Sequence, residues 1–533
     1  MEETKDIVGE TFSAGRYLSQ PYECWFYLYP EFTDRIELMQ SGFVYEILEG
    51  KKGDRCYGIV ETSTIETDQS ILTAILSRRK GLSTTAIKLR VTRESGLSAP
   101  VKDKCKVKIA EPDIIKRAYN IPDNGFPIGI FALPSGCPPN APPVKLDYKY
   151  VLGKEGAHIN IGGKSGWAKT ALALVLCKAI LSDSNYSKNT TVIAFNVKAD
   201  DLLWPDKENP DIKEEDKKYY ELMGVPPDPF QKVNIFAPEA RNSEKRETKV
   251  DSLREDAKPF SWEWADVKEQ LCYCIAPEDW NERLEALLVD LIGEDAEEFR
   301  EIKLLLERWL EEAASPAGRG WAHGHHIETI RKTLRIISSG IMERFKGLVC
   351  GTAEPLDVED IVEPGFFNVI DISRLRAPAQ RLVIGKVVSD VQSYLERVKG
   401  RHIVYLADEL SKFAPKTARE GPIAGIKAIL DDIAERGRSI GSILLGIQQY
   451  PSQTSDDILG NVATSAYARM KPMELDAAPY RGYSREKKLM IQELNKGFVL
   501  VEHDVFKDLV LVRFPKPPCA QSRPLSSKSP HNG

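Results

Sequence analysis

The chain has 533 residues, of which 42% are hydrophobic and 29% charged, and its formal net charge is -6. That length exceeds what one hydrophobic core usually sustains, so two or three domains are expected, and the composition excludes a disordered or membrane-embedded chain. No run of eighteen apolar residues occurs and the acidic start Met1-Glu2-Glu3 lacks the shape of a secretory signal, so the expectation is a cytoplasmic protein without a membrane partner. A mildly acidic total does not advertise a polyanion partner, yet it excludes none, because local clusters of Lys and Arg set such affinity. Cysteines are scattered, and only Cys272 and Cys274 lie close together, which fits neither a disulfide scaffold nor a zinc knuckle. His323, His325 and His326 read as a solvated helix start rather than as metal ligands.

Residues 1–110 read as a small β domain, a barrel or a sandwich. Short runs at Gly42–Leu48, Tyr57–Val60, Ala86–Val91 and Cys105–Ile109 alternate or are apolar, and turn formers separate them. Basic residues between Arg78 and Lys108 leave two readings, a solvated barrel face or a DNA-facing patch. Residues 111–147 are rich in proline and glycine and read as a strap that resists regular structure. Residues 148–263 and 346–514 carry an α/β pattern. Strands are expected at His158–Ile161, Thr191–Phe195, Phe366–Ile372, His402–Leu406, Ser442–Ile447 and Ser465–Ala468, with a helix over Thr170–Leu181. This alternation predicts a mostly parallel sheet covered by helices. Charged stretches at 204–230 and 237–259 read as surface loops, 264–345 as a helical insertion, and 515–533 as a flexible tail.

The segment Gly163-Lys164-Ser165-Gly166-Trp167-Ala168-Lys169-Thr170 lies between an expected strand and an expected helix. Phosphate binding needs backbone N–H groups wrapped around the anion and a helix N-terminus facing it. It also needs a lysine for the outer phosphates and a hydroxyl for Mg²⁺, and Lys169 and Thr170 have that spacing. ATP and Mg²⁺ are therefore the expected ligands. Ala168 stands where the P-loop pattern has glycine; a positive φ there costs about 1 kcal/mol, whereas a need for close approach alone tolerates a methyl. Further on, the strand His402–Ala407 ends in Asp408 and Glu409. At the C-terminal edge of an open α/β sheet, Asp408 suits the Mg²⁺ water shell and Glu409 the role of general base. The strand Ser442–Ile447 delivers Gln448 and Gln449 to the same edge, where a glutamine senses a γ-phosphate or orients water. Glu435-Arg436-Gly437-Arg438 ends the preceding helix, a place from which an arginine reaches a neighbouring subunit's nucleotide or simply faces solvent.

Several segments resemble the HerA-like proteins of the HerA/FtsK branch of P-loop ATPases. They are His158-Ile159-Asn160-Ile161 leading into the P-loop, the pair Asp408-Glu409, Gln449-Tyr450-Pro451-Ser452, and Asn461-Val462-Ala463-Thr464. The resemblance implies an α/β P-loop NTPase with a RecA-like core and an N-terminal β-barrel over residues 1–110. It implies assembly as a homo-hexameric ring that pulls double-stranded DNA through a central pore at the expense of ATP. It also implies a separate nuclease or other effector subunit, in DNA end processing or anti-phage defence. Arg438 falls on the arginine that acts in trans in this family, so Glu409, Lys169, Arg438 and Gln449 are the expected catalytic set. Three positions depart from the family pattern: Ala168, Asn196 where relatives carry an acid, and the extra arginine Arg436. Two other roles stay open, a packaging or conjugative coupling motor and a nucleotide-responsive ring scaffold that organises an effector.

Overall fold

The computed structural model describes residues 6–13, 17–49, 55–67, 83–96, 99–198, 200–241, 249–417 and 422–523. The chain forms two compact units, one of residues 1–148, 214–225 and 465–515, the other of 149–213, 226–464 and 516–533.

In the first unit six antiparallel strands close a barrel. They are β1 (Ile7–Phe12), β2 (Glu23–Leu28), β3 (Val44–Leu48), β4 (Cys56–Thr67), β5 (Ser83–Arg93) and β6 (Lys106–Ile109), in the order β1-β2-β5-β4-β3-β6. In β2 alternate residues turn inward, so that Cys24, Phe26 and Leu28 join a core with Val8, Tyr45, Ile87 and Val107. Closure leaves no free sheet edge. Several described basic residues of this region are ion-paired: Lys88 with Glu23 and Glu61, Arg90 with Asp508, Arg93 with half-buried Glu49, and Lys106 with Glu10. That pairing favours the solvated barrel face over a DNA-facing patch; residues 68–82 lie outside the described set.

Residues 111–147 are more regular than their composition predicts. Pro112 opens the helix Pro112–Tyr119 from its first turn, where a missing N–H costs nothing, and Asn120 closes it in the left-handed region. β7 (Phe126–Phe131) is buried along its length and pairs with β8 (Pro143–Leu146), the register shifting between Pro127 and Gly129. Proline is thus accommodated at a helix start and beside a bulge rather than excluding structure. The helix Glu214–Met223 also belongs to this unit, as do β19 (Phe498–His503) and β20 (Val510–Arg513), which extend β7 and β8 in the order β19-β20-β7-β8. Sequence alone assigns residues up to 514 to the α/β pattern, whereas 465–515 belong to this unit, because alternating apolar residues identify strands without saying which sheet they join.

The second unit is built on a parallel sheet of seven strands. These are β9 (Ala157–Gly162), β10 (Thr190–Asn196), β11 (Val233–Pro238), β12 (Lys258–Phe260), β15 (Phe367–Asp371), β16 (His402–Asp408) and β17 (Ser442–Gln448). Their order is β12-β11-β15-β10-β16-β17-β9, and every neighbouring pair is parallel. β10, β15 and β17 are buried at every position, as expected of strands covered on both faces. This is the expected α/β architecture, a parallel sheet covered by helices. Between β12 and β15 lies the helical region, with helices Glu282–Gly293, Phe299–Ala314 and Ile327–Arg335. Its Leu284, Phe299, Ile302 and Trp309 share one core with Phe195, Tyr405 and Leu444 of the sheet.

The histidine group sits on a two-strand hairpin, β13 (Trp321–Ala322) and β14 (His325–His326). It is less solvated than expected: His325 is buried against Asp290 and His323 stacks on Trp309. Among the described residues no group of His, Cys, Asp or Glu is arranged to hold a metal ion. The charged stretch before β12 also hides a packed centre, in which buried Arg254 bonds Asp206, Asp256 and the carbonyl of Leu203. The chain passes from the second unit into the first within β18 (Val462–Tyr467). Residues 515–523 do not fray: Cys519 is fully buried, and Ala520 N donates to the carbonyl of Lys207. Residues 524–533 lie outside the described set. No described helix is long and apolar enough to cross a membrane.

Candidate nucleotide site

Register brings the polar residues together. Across the C-terminal edge, Gly162 of β9 pairs with Gln448 of β17, Ile447 with Asp408 of β16, and Ala407 with Phe195 of β10. The P-loop, the glutamines and the carboxylate pair therefore sit side by side, with β17 between the other two. That edge is where ligands bind in open α/β sheets.

The loop after β9 turns through Gly163 (φ 148°) and Gly166 (φ 79°), and Ala168 has φ 61° and ψ 27° immediately before the helix Lys169–Ser182. The position of Ala168 is thus left-handed, and the alanine carries the strain glycine would avoid. Gly163 N donates to Gln448 O at 3.1 Å, fixing the start of the loop to β17. Lys164, Ser165 and Gly166 are exposed, Trp167, Ala168 and Thr170 half-buried, and Lys169 buried. Lys169 Nζ donates to the carbonyl of Lys164 at 3.1 Å, spanning the loop it closes. Burial pushes its ammonium down to about 8, Asp408 and Glu409 oppose that shift, and Lys198 adds to it. Lys169 and the two carboxylates therefore feel one another across a single site.

Asp408 is 6% exposed, and burial pushes its carboxyl up while Lys198 holds it back. Its Oδ1 accepts from Glu409 N at 2.9 Å. Glu409 takes the left-handed region at φ 56° and so leaves the strand direction. Burial raises its carboxyl, but hydrogen bonds from Lys198 and Lys412 outweigh that and hold it below the usual range. Lys198, two residues past β10, lies 2.6 Å from Glu409 Oε1 and 3.5 Å from Asp408 Oδ2. Sequence reasoning placed no function on Lys198. Its signal was position alone, since it follows the strand that neighbours β16.

The two glutamines separate in role. Gln448 is buried, donates to Asn160 Oδ1 at 2.5 Å and accepts from Thr454 Oγ1, which makes it a tie between β9, β17 and the following turn. Gln449 is half-buried at the edge, next in sequence to the residue that anchors the P-loop. Asn196 occupies the departure from the family pattern, buried and donating to Asp371 Oδ1 at 2.9 Å, so an acid there would meet another acid. Among the two arginines, Arg436 bonds Asp432 one turn back through Nε at 2.5 Å. Arg438 is exposed, with no carboxylate partner among the described residues.

The donor set fits a nucleoside triphosphate with Mg²⁺. Positive-φ residues turn the loop, a helix N-terminus follows it, a buried lysine closes it, and a hydroxyl and a buried carboxylate are available for the cation.

No protein-family model matches the chain, and no curated protein does. Among solved structures the chain is similar to VirB4 of Thermoanaerobacter pseudethanolicus, at 15% identity and TM-score 0.48, over 74% of this chain and 96% of that one. It is similar also to the plasmid coupling protein TrwB in complex with ADP and Mg²⁺, at 13% identity and TM-score 0.46, over 76% of this chain and 92% of that one. A further likeness is to the genome packaging NTPase of Sulfolobus turreted icosahedral virus 2, at 13% identity and TM-score 0.23, over 30% and 72% of the two chains.

Proposed function

We propose that this chain is the ATP-hydrolysing motor of a HerA-like ring that translocates double-stranded DNA for a separate nuclease or other effector subunit. The observation that carries the reading is the alignment of Gly162, Gln448 and Asp408 along one sheet edge, which converges a P-loop, a glutamine pair and a carboxylate pair on one ligand position. Backbone N–H groups of 163–170 and Lys169 hold the phosphates, and Gln449 orients the attacking water. Thr170 and Asp408 hold Mg²⁺, which offsets phosphate charge when bound. Glu409 takes the proton of the water.

A triphosphate held this way has one side of its terminal phosphate facing outward, and a guanidinium supplied there meets the charge that develops during hydrolysis. The exposed, carboxylate-free Arg438 suits that role in trans, and Arg436, tied to Asp432, does not. Subunit mixing tests the arrangement. Lys169→Ala and Arg438→Ala are each inactive alone, and mixed rings regain turnover where an intact P-loop meets an intact arginine. Wild-type turnover by Arg438→Ala, or loss only in Arg436→Ala, overturns the assignment. Duplex DNA stimulates the hydrolysis of a translocase, whereas a ring scaffold hydrolyses at one rate with or without it.

A further inference from the structure

Glu409 is expected to act on water, yet both of its oxygens face ammonium groups. Lys198 Nζ lies 2.6 Å from Oε1, and Lys412 pairs with Oε2. An oxygen that shares its lone pairs with an ammonium is a weaker base toward a water proton, so withdrawal of one lysine strengthens Glu409 as the base.

The two lysines are not equivalent. Lys412 is three residues along the same turn as Glu409, so it travels with the glutamate, and it is well exposed. Lys198 comes from the end of the neighbouring strand, also lies 3.5 Å from Asp408, and is half-exposed at the mouth of the site. It is close enough to Lys169 for the two charges to oppose one another. An ammonium on a flexible four-carbon stem, placed between a phosphate-binding lysine and two carboxylates, will turn to whichever anion carries more charge. A terminal phosphoryl group is such an anion, and a diphosphate lacks it.

We propose that Lys198 is a positioning residue that reads the terminal phosphate: it exchanges Glu409 for the γ-phosphate of a bound triphosphate and returns to Glu409 when only a diphosphate remains. The base is thereby released only when there is a bond to hydrolyse. This inference rests on the ATPase reading above, and its test is separable from it because it reads binding rather than turnover.

The test is calorimetric titration of the full-length chain, in Mg²⁺, with the imidotriphosphate analogue of ATP and with ADP. The proteins are the wild type, Lys198→Met, Lys198→Arg, Glu409→Gln, and Lys198→Met combined with Glu409→Gln. Loss of one charge-assisted contact weakens binding roughly tenfold or more. Lys198→Met is thus expected to lose at least that for the triphosphate analogue while ADP affinity stays within about threefold, and Lys198→Arg is expected to recover part of the loss. Freed from its carboxylate, Lys198 makes Glu409→Gln bind the triphosphate analogue more tightly than wild type, a gain absent when Lys198 is methionine. Equal weakening of both nucleotides by Lys198→Met, with melting temperature unchanged, makes Lys198 a mere charge balance and overturns the inference. Unchanged binding of both does the same. A folded wild type that binds neither nucleotide fails the ATPase reading itself.

Discussion

Ala168 holds a left-handed backbone position that opens the phosphate-binding helix, at φ 61°. Alanine bears that conformation at a cost of roughly 1 kcal/mol, which glycine avoids but partly returns through its freer unfolded chain. A β-branched side chain there adds a much larger clash. Titration with a slowly hydrolysed ATP analogue is expected to show Ala168→Gly binding as well as wild type or better, and Ala168→Val binding at least tenfold more weakly. Undiminished binding by Ala168→Val would show that the loop does not keep this conformation. His158 is another residue held at positive φ, buried at φ 65° with Nδ1 accepting from Leu444 N at 3.0 Å. Burial pushes its imidazole from 6.5 down to about 4. The unfolded chain therefore takes up a proton below pH 6.5 that the folded chain refuses until pH 4. Stability from neutral His158 is present above pH 6.5 and falls as pH drops to about 4, by roughly 3 kcal/mol in all. His158→Asn keeps an acceptor and tolerates positive φ, so its denaturant stability should fall less steeply over that range; an identical slope would remove His158 as the cause.

At the scale of elements, the site depends on how β17 is tied to its neighbours. Asn160 of β9, Gln448 of β17 and Thr454 of the following turn form one buried chain of hydrogen bonds. That turn in turn meets the segment after Glu409, where Ser455 N donates to the carbonyl of Ala414 and Lys416 N to that of Gln453. Thr454→Val removes the donor and leaves Gln448 Oε1 buried without it, a loss of about 1–3 kcal/mol. Thr454→Ser keeps the hydroxyl and should recover most of that stability in a denaturant titration. Equal stability of all three proteins would mean the relay holds nothing. The motifs on these elements were legible because each is local: a loop between a strand and a helix, or acids at a strand end. Their supporting partners were not, since Asn160, Thr454 and Lys198 reach the site through strand order and register, which single-sequence periodicity leaves undetermined. Gln448 and Gln449 looked alike in sequence, and only burial separates the tie from the residue at the site edge.

For the whole molecule, an N-terminal β domain and a parallel sheet were readable from short alternating runs and from strands separated by helices, though the runs alone did not choose a barrel over a sandwich. What escaped was membership across long sequence gaps: 214–225 and 465–515 belong with the N-terminal residues, and Cys519 and Ala520 are packed within the other unit. Proline and charge predicted loops at these places because composition reports solubility, whereas a few buried side chains decide where a segment lies. The site itself lies within one unit, from Gly162 to Gln449. A folded chain should accordingly bind Mg-ATP through its own residues, and only the outward face of the terminal phosphate calls for a neighbour. The measurement that tests this account most directly is steady-state ATP turnover with duplex DNA by the wild type and by Glu409→Gln, paired with binding of a slowly hydrolysed analogue. The account predicts DNA-stimulated turnover by the wild type that falls by roughly 100-fold or more in Glu409→Gln while the analogue still binds. Undiminished turnover by Glu409→Gln, or a wild type that binds the analogue but never hydrolyses ATP, would contradict it.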